Sequence, residues 1–215
     1  LSKTALQRNL ETKKQGLFSK GLYQESAIEE DIEKIESFYS EKGYITARVI
    51  DVRSEIIDAD QPEKMGLQLT YFIEEGDQYI YDGISFIGNI IHNDTELEDI
   101  VRTKKGDVLN KVRMEADFVR ISDLYFDDGY IFNSISEEEI INYEQKKVSY
   151  IVTITEAGRA HVENIVVRGN DKTRENVILR ELPIGVGDVF SKKKIIEGVQ
   201  NLYNLQYFSA IYPET

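Results

Sequence analysis

The sequence predicts an α+β protein assembled from tandem small domains, and three observations carry the prediction. Ile84-Ser85-Phe86-Ile87-Gly88-Asn89 and Ile165-Val166-Val167-Arg168-Gly169-Asn170 match in pattern and lie 81 positions apart. The same offset carries Gly106-Asp107-Val108-Leu109 onto Gly187-Asp188-Val189-Phe190. Apolar residues recur at helical spacing between these landmarks and at alternate positions near the ends of each copy. A period of 81 residues is longer than the roughly 20 to 50 residues of a solenoid repeat, so each copy needs a core of its own.

The chain opens inside a helix that carries Ala5, Leu6 and Leu10. Its next helix is announced by Ser26 and Glu29, a capping-box pair, and by Ile28, Ile32, Ile35 and Tyr39 on one face. Gly43-Tyr44-Ile45 ends that helix, and a strand is expected from Tyr44 to Ile57. A polar loop from Asp58 to Glu63 follows. Leu67, Leu69, Tyr71 and Ile73 then share one face of a strand that closes on Glu74-Glu75-Gly76.

The middle copy is the most complete. Tyr79 to Ile87 is rich in β-branched and aromatic residues and ends at Gly88-Asn89, a strand running into a turn. Asp94 or Thr95 is expected to cap a helix with Leu97, Ile100 and Val101 inward, which Lys104-Lys105-Gly106 stops. A longer helix from about Asn110 to Asp127 carries Met114, Phe118, Ile121 and Tyr125 in one stripe and ends at Asp128-Gly129-Tyr130. Ile131, Asn133 and Ile135 alternate with Phe132, Ser134 and Ser136 in a weaker strand, which Glu137-Glu138-Glu139 is expected to interrupt. The last strand is clear, with Val148, Tyr150, Val152 and Ile154 on one face.

In the third copy, His161 to Arg168 is the predicted strand, Thr173 to Leu182 the first helix and Ser191 to Tyr203 the second, with Ile195, Ile196, Val199 and Leu202 apolar. Phe208 to Tyr212 begins the strand pair. The expected domains are therefore 1–77, lacking its first strand, 78–158, complete, and 159–215, stopping before its last strand.

A repeat in this order resembles the POTRA domain. The marks are a first strand ending in Gly-Asn, a Gly-Asp step between the helices, an aromatic Gly-Tyr step after the second helix, and a last strand ending in Glu-x-Gly. The resemblance implies a β-α-α-β-β unit whose three-stranded mixed sheet is covered on one face by two helices. In tandem, such units are similar to the periplasmic region of the BamA family of outer membrane assembly factors. One departure is visible: Gln206 stands where the other copies have Gly43 and Gly129, so the third copy's second helix must end without the residue that most readily turns left-handed.

Composition narrows the function classes. A net charge of -13 repels phosphate backbones and anionic headgroups, which argues against nucleic acid as a partner. The chain has no cysteine, so disulfides, thiolate catalysis and Cys-bearing zinc sites are excluded. No apolar run approaches the roughly 18 to 20 residues of a membrane-spanning helix. A first residue other than Met leaves targeting segments open.

Side-chain chemistry offers little. His92 and His161 are the only histidines and read as ordinary surface or strand-start positions. Asp58-Ala59-Asp60 opens like a calcium loop, yet Glu63 and Leu69 stand where a Gly and a bidentate Glu are required. Gly185-Val186-Gly187-Asp188 reads as a turn rather than a phosphate loop, since no Lys-Ser or Lys-Thr follows. Glu137-Glu138-Glu139 and Asp127-Asp128 read as solvated turns, and Asn93-Asp94-Thr95 as a helix cap. The expectation is no enzyme, no cofactor and no metal.

What remains is backbone. An edge strand can accept an added strand, giving affinity with little sequence demand. In the POTRA resemblance the strand after the second helix lies at an edge. This makes Ile45, Ala47, Val49, Ile131, Asn133 and Ile135 the candidate polypeptide-binding residues. The resemblance implies unfolded outer membrane β-barrel proteins as clients, accessory lipoproteins of the assembly machinery as partners, and a place at the periplasmic face of the outer membrane beside a C-terminal β-barrel. The alternatives are a related polypeptide transporter, of two-partner secretion or translocation and assembly type, and a structural spacer or adhesin.

Overall fold

The computed structural model describes residues 3–10, 25–57 and 66–214. Two compact bodies are distinguished, one of residues 1–83, 102–115 and 139–149, the other of residues 84–101, 116–138 and 150–215. The division runs through the middle repeat, because each end of that repeat packs with the repeat on its own side.

In the first body, helix α1 (Lys3–Asn9) touches helix α2 (Glu25–Ser40), and α2 lies against strand β1 (Arg48–Ile57). Strand β2 (Gly66–Glu74) pairs antiparallel with β1 from Arg48 opposite Glu74 to Ile57 opposite Gly66. The apolar stripe of α2 buries Ile35 and Tyr39, and it also buries Asp31. That carboxylate survives burial because the Tyr71 hydroxyl donates to it at 3.0 Å. The expected capping pair begins at Ser26, and the residues just before Glu25 lie outside the described residues. The predicted loop at 58–63 lies outside the described residues.

The middle repeat runs β3 (Ile80–Ile87), α3 (Asp94–Ile100), α4 (Lys111–Asp127), β4 (Ser134–Asn142) and β5 (Lys147–Thr155). Its mixed sheet has the order β3-β5-β4, so the last strand in sequence is the central one in space. The centre carries the strictest alternation: Val148, Tyr150, Val152 and Ile154 are all buried. From α4, Met114, Phe118, Ile121 and Tyr125 are buried as the stripe predicts. In the second body Phe118 meets Tyr150 edge-on, with ring centroids 5.3 Å apart. Each such side chain contributes about 1.5–3 kcal/mol by leaving water.

Three local expectations are corrected. The cap of α3 is Asn93, not Asp94 or Thr95. Asn93 is the last extended residue, its side chain accepts from the Glu96 amide, and the Glu96 carboxylate accepts from the Asn93 amide. Glu137-Glu138-Glu139 continues β4 instead of interrupting it. An edge strand has one open side, where carboxylates stay hydrated, and the third of them is paired with Lys111 at 2.7 Å.

The third correction lies in the third repeat, whose helices are α5 (Glu175–Leu179) and α6 (Lys192–Asn204). The segment from His161 to Arg168 forms one bridge, His161 with Val189, and no strand. A strand needs a ladder partner, and among the described residues this segment has only that one bridge. Ile165 and Val167 are half-buried while Val166 is exposed, so the alternation persists without the ladder. The stretch from Phe208 to Tyr212 is likewise not a strand.

Candidate functional site

The strand after the second helix occupies a sheet edge in the middle repeat, where β4 is outermost in the order β3-β5-β4. The six candidate residues do not all belong to strands. Val49 lies in β1 and Ile135 in β4. Ile45, Ala47, Ile131 and Asn133 precede them in a tight turn. The turn forms because Ala47 donates its amide to the Tyr44 carbonyl at 3.1 Å, and Asn133 its amide to that of Tyr130 at 3.3 Å. These amides are engaged and offer no ladder donor. Val49 is engaged as well, since its amide meets the Glu36 carboxylate of α2 at 3.0 Å.

Ile50 is the odd residue at the irregularity between Val49 and Asp51, a bulge that turns it outward to 59% exposure. Among the described residues the sheet has two edges: β3, whose start is bridged from Ile80 to Val108, and β4, which exposes Glu137, Glu138 and Ile140, with the exposed Phe132 just before it. Sequence reasoning missed Glu36 because helix surface glutamates are common and nothing local ties one to a strand amide.

A second constellation recurs at the same repeat positions in both bodies. In the first, Gly43 has φ +84 and its carbonyl accepts the Tyr79 amide at 2.8 Å. In the second, Gly129 has φ +90 and its carbonyl accepts the Ala160 amide at 2.8 Å. A β-carbon on Gly43 would stand 2.7 Å from a Val108 methyl, and one on Gly129 would stand 2.5 Å from a Val189 methyl. The absence of a side chain therefore creates the seat for the next repeat.

Around each seat the chain closes in the same way. Leu109 donates to the Tyr79 carbonyl at 3.0 Å, and Phe190 to that of Ala160 at 3.0 Å. Tyr81 and Val162 donate to the carbonyls of Asp107 and Asp188 at 2.9 and 2.8 Å. The Gln78 amide group donates to the Lys42 carbonyl at 2.8 Å, and the Arg159 guanidinium to that of Asp128 at 2.7 Å. The Gly-Asp step thus gains a physical reason. Its carboxylate accepts the amide three residues earlier, Asp107 from Lys104 and Asp188 from Gly185, both at 2.9 Å, which locks the turn that meets the next repeat's first residues.

A carboxylate just past the last strand of the first and middle repeats also has a partner. Tyr39 donates its hydroxyl hydrogen to Glu75 at 2.6 Å, and Tyr125 donates to Glu156 at 3.1 Å. Burial and then the carboxylate raise the Tyr39 hydroxyl to about 12, and the same two causes push Tyr125 higher still. The hydrogen bond from Tyr39 holds Glu75 below the ordinary carboxylate range.

His92 is not an ordinary surface residue, as the sequence suggested. Its imidazole packs edge-on against the Tyr125 ring, with centroids 4.9 Å apart, and lies 3.2 Å from Asp128 and 3.6 Å from Glu96. The contact escaped sequence reasoning because Tyr125 and Asp128 are more than thirty positions away. His161 contributes the bridge to Val189. Among the described residues, no group of three or more His, Cys, Asp or Glu side chains could hold a metal ion. No helix among them is long and apolar enough to cross a membrane.

The family model for POTRA, described as surface antigen variable number repeat, matches residues 1–76, 79–157 and 160–215. A candidate outer membrane protein assembly factor of Treponema pallidum (strain Nichols) is 37% identical over 99% of this chain, which covers 25% of that protein. The outer membrane protein assembly factor BamA of Nitratidesulfovibrio vulgaris is 27% identical over the whole chain, which covers 27% of it. The chain thus spans about a quarter of the length of these relatives. The crystal structure of Haemophilus influenzae BamA POTRA3-5 superposes with a TM-score of 0.77 at 18% identity, covering 99% of this chain and 83% of that one.

Proposed function

The chain belongs to the POTRA family, and on that premise we propose that it is the polypeptide-binding and scaffolding region of a BamA-like outer membrane protein assembly factor. It works at the periplasmic face of the outer membrane, with repeats at 1–77, 78–158 and 159–215. Its clients are unfolded outer membrane β-barrel proteins, and accessory lipoproteins dock on the array. No catalytic step is involved.

The observation that carries the reading is β4, one of the two edge strands in the order β3-β5-β4; the other, β3, is bridged at its start from Ile80 to Val108. An extended client segment adds to the β4 edge through main-chain hydrogen bonds, which suits a partner that must engage many sequences. The turn at 131–133 and the Glu36-capped start of β1 set limits on the surface. The site is Ile135 and the β4 residues beyond it, while the Val49 amide is already spoken for.

The absence of cysteine permits a clean test. Ser136 is exposed in β4, and Ser136→Cys gives the protein a single thiol. A peptide of about ten alternating apolar and polar residues, the length of a barrel strand, carries a thiol-reactive group at its centre. Cross-linking at Cys-substituted Ser136, with amide shifts confined to β4 in the unlabelled titration, is the expected result. Equal cross-linking at a cysteine placed on the solvent face of α4, such as Val119→Cys, overturns it.

A further inference from the structure

The third repeat repeats the turn that makes the seat but fills the seat itself. After α2 the Gly43 amide reaches the Ser40 carbonyl at 3.2 Å, and after α4 the Gly129 amide reaches that of Phe126 at 3.2 Å. After α6 the Gln206 amide reaches the Tyr203 carbonyl at 3.0 Å, so Gln206 occupies the same structural position. It also adopts the same left-handed backbone, with φ +57. Gly alone adopts this conformation without a steric penalty from its side chain. The turn is kept in spite of that cost, and a side chain is present where the other two repeats have none.

The consequence is steric. At Gly43 and Gly129 a β-carbon would stand 2.7 and 2.5 Å from the methyl of the next repeat's valine, and 3.0 and 3.2 Å from the carbonyl oxygen of its first residue. Those positions belong to the two groups that dock the next repeat. Gln206 has a β-carbon in that place, with an exposed side chain beyond it. The neighbouring Tyr207 is 66% exposed, and Tyr203 donates no such cover, since its hydroxyl instead accepts the Ile211 amide at 3.2 Å.

We infer that Gln206 marks the end of the docked series: the face after α6 does not seat another repeat in the way Gly43 and Gly129 do. The residue at this one left-handed position decides between a docked successor and a free face. This rests on the repeat architecture and is independent of whether clients bind β4.

The test has two arms. In this chain, Gly129→Gln is tolerated by the turn, as Gln206 demonstrates, but collides with Val189. Hydrogen exchange at the Ala160 and Phe190 amides is expected to accelerate at least about tenfold, the change that 1.4 kcal/mol produces, while the β5 amides stay protected. Adding Val189→Ala removes the colliding methyl and restores part of the protection. Unchanged exchange at Ala160 in the folded single variant overturns the inference. If Gly129→Gln unfolds the middle repeat, Gly129→Ala gives the same readout with a smaller side chain. In the second arm, a photoreactive benzophenone side chain replaces Gln206 in the full-length protein. A cross-link to the first strand of a further POTRA repeat overturns the inference. A cross-link anywhere else, or none, supports it.

Discussion

Tyr125 donates its hydroxyl hydrogen to Glu156 at 3.1 Å, as Tyr39 does to Glu75 at 2.6 Å, so in the first and middle repeats the second helix is latched to the end of the last strand. In the second body the Glu156 oxygen also accepts the Ile91 amide at 2.9 Å, and His92 packs on the Tyr125 ring. The latch therefore gathers helix, strand end and the loop before α3 at one carboxylate. Tyr125→Phe keeps the ring contacts and removes the hydroxyl. A hydrogen bond to a charged acceptor is worth about 1.5–3 kcal/mol, and urea unfolding should show a loss in that range. Glu156→Ala should cost more, because it also strands the Ile91 amide.

The latch has a pH signature with two limbs. Tyr39 is raised to about 12 by burial first and Glu75 second. A group whose folded value is raised stabilises fully below its unfolded value of about 10, and that contribution disappears as the pH climbs toward the folded value. Glu75 is lowered by the Tyr39 hydrogen bond, and Asp82 by Lys147 with Lys105 behind it. Lowered carboxylates stabilise above their unfolded values, and the contribution is lost as the pH falls through the folded ones. Urea midpoints measured from about pH 3 to about pH 11 should form a plateau with both shoulders. Tyr39→Phe should shrink both shoulders, leaving on the alkaline side the contribution of Tyr125, which is raised by the same causes. An unchanged alkaline shoulder would contradict the latch.

Gly88 and Gly169 are equivalent in sequence but not in surroundings. Both have positive φ, +84 and +75, so alanine at either pays about 1–2 kcal/mol of backbone strain. At Gly88 the added β-carbon would also stand 2.2 Å from the Ile154 carbonyl oxygen, whereas at Gly169 nothing among the described residues lies within 4 Å. Backbone cannot yield as a side-chain tip does. Gly88→Ala should therefore be the more damaging of the two by about 1–3 kcal/mol in thermal or urea unfolding, and equal losses would refute the reading.

Most of the fold was legible because its signals are periodic. The α4 stripe and the alternation in β5 are set by burial on one face, and burial repeats with the geometry of the element. The landmarks Gly-Asn and Gly-Asp, which recur at 81 residues, and Glu-x-Gly, which recurs at 82, were also visible, but their reasons were not. Each is half of a contact whose other half is distant in sequence: Gly88 with Ile154, Gly187 with Val162, Glu156 with Tyr125. The four misplaced edge residues illustrate the limit. Ile45, Ala47, Ile131 and Asn133 keep the alternation of a strand while their backbone turns, because half-burial of side chains does not distinguish an extended chain from a tight turn that leads into one. His161 to Arg168 failed in the opposite sense, with strand-forming residues that have one bridge and no ladder among the described residues.

The second seat carries a reinforcement that can be separated from it. Asp127 ends α4 and accepts the Lys193 amide at 2.6 Å, so a carboxylate from one repeat serves the N-terminus of α6 in the next, beside the ion pair of Asp123 with Lys192. An acidic residue at the last turn of α4 opposes that helix's dipole by about 0.3–1 kcal/mol, whereas serving a free amide at the start of α6 is worth about 0.5–2 kcal/mol. The two terms nearly cancel in overall stability but act on different helices. Asp127→Ala should therefore leave the urea midpoint almost unmoved while speeding exchange of the Lys193 amide by about tenfold, the factor that corresponds to 1.4 kcal/mol. The Lys194 amide, which the Ser191 hydroxyl serves at 3.3 Å, should change less. Salt should weaken the partly exposed Asp123 and Lys192 pair without touching the amide contact. Equal acceleration at Lys193 and Lys194 would mean that α6 frays as a whole and that Asp127 does not act on it as a cap.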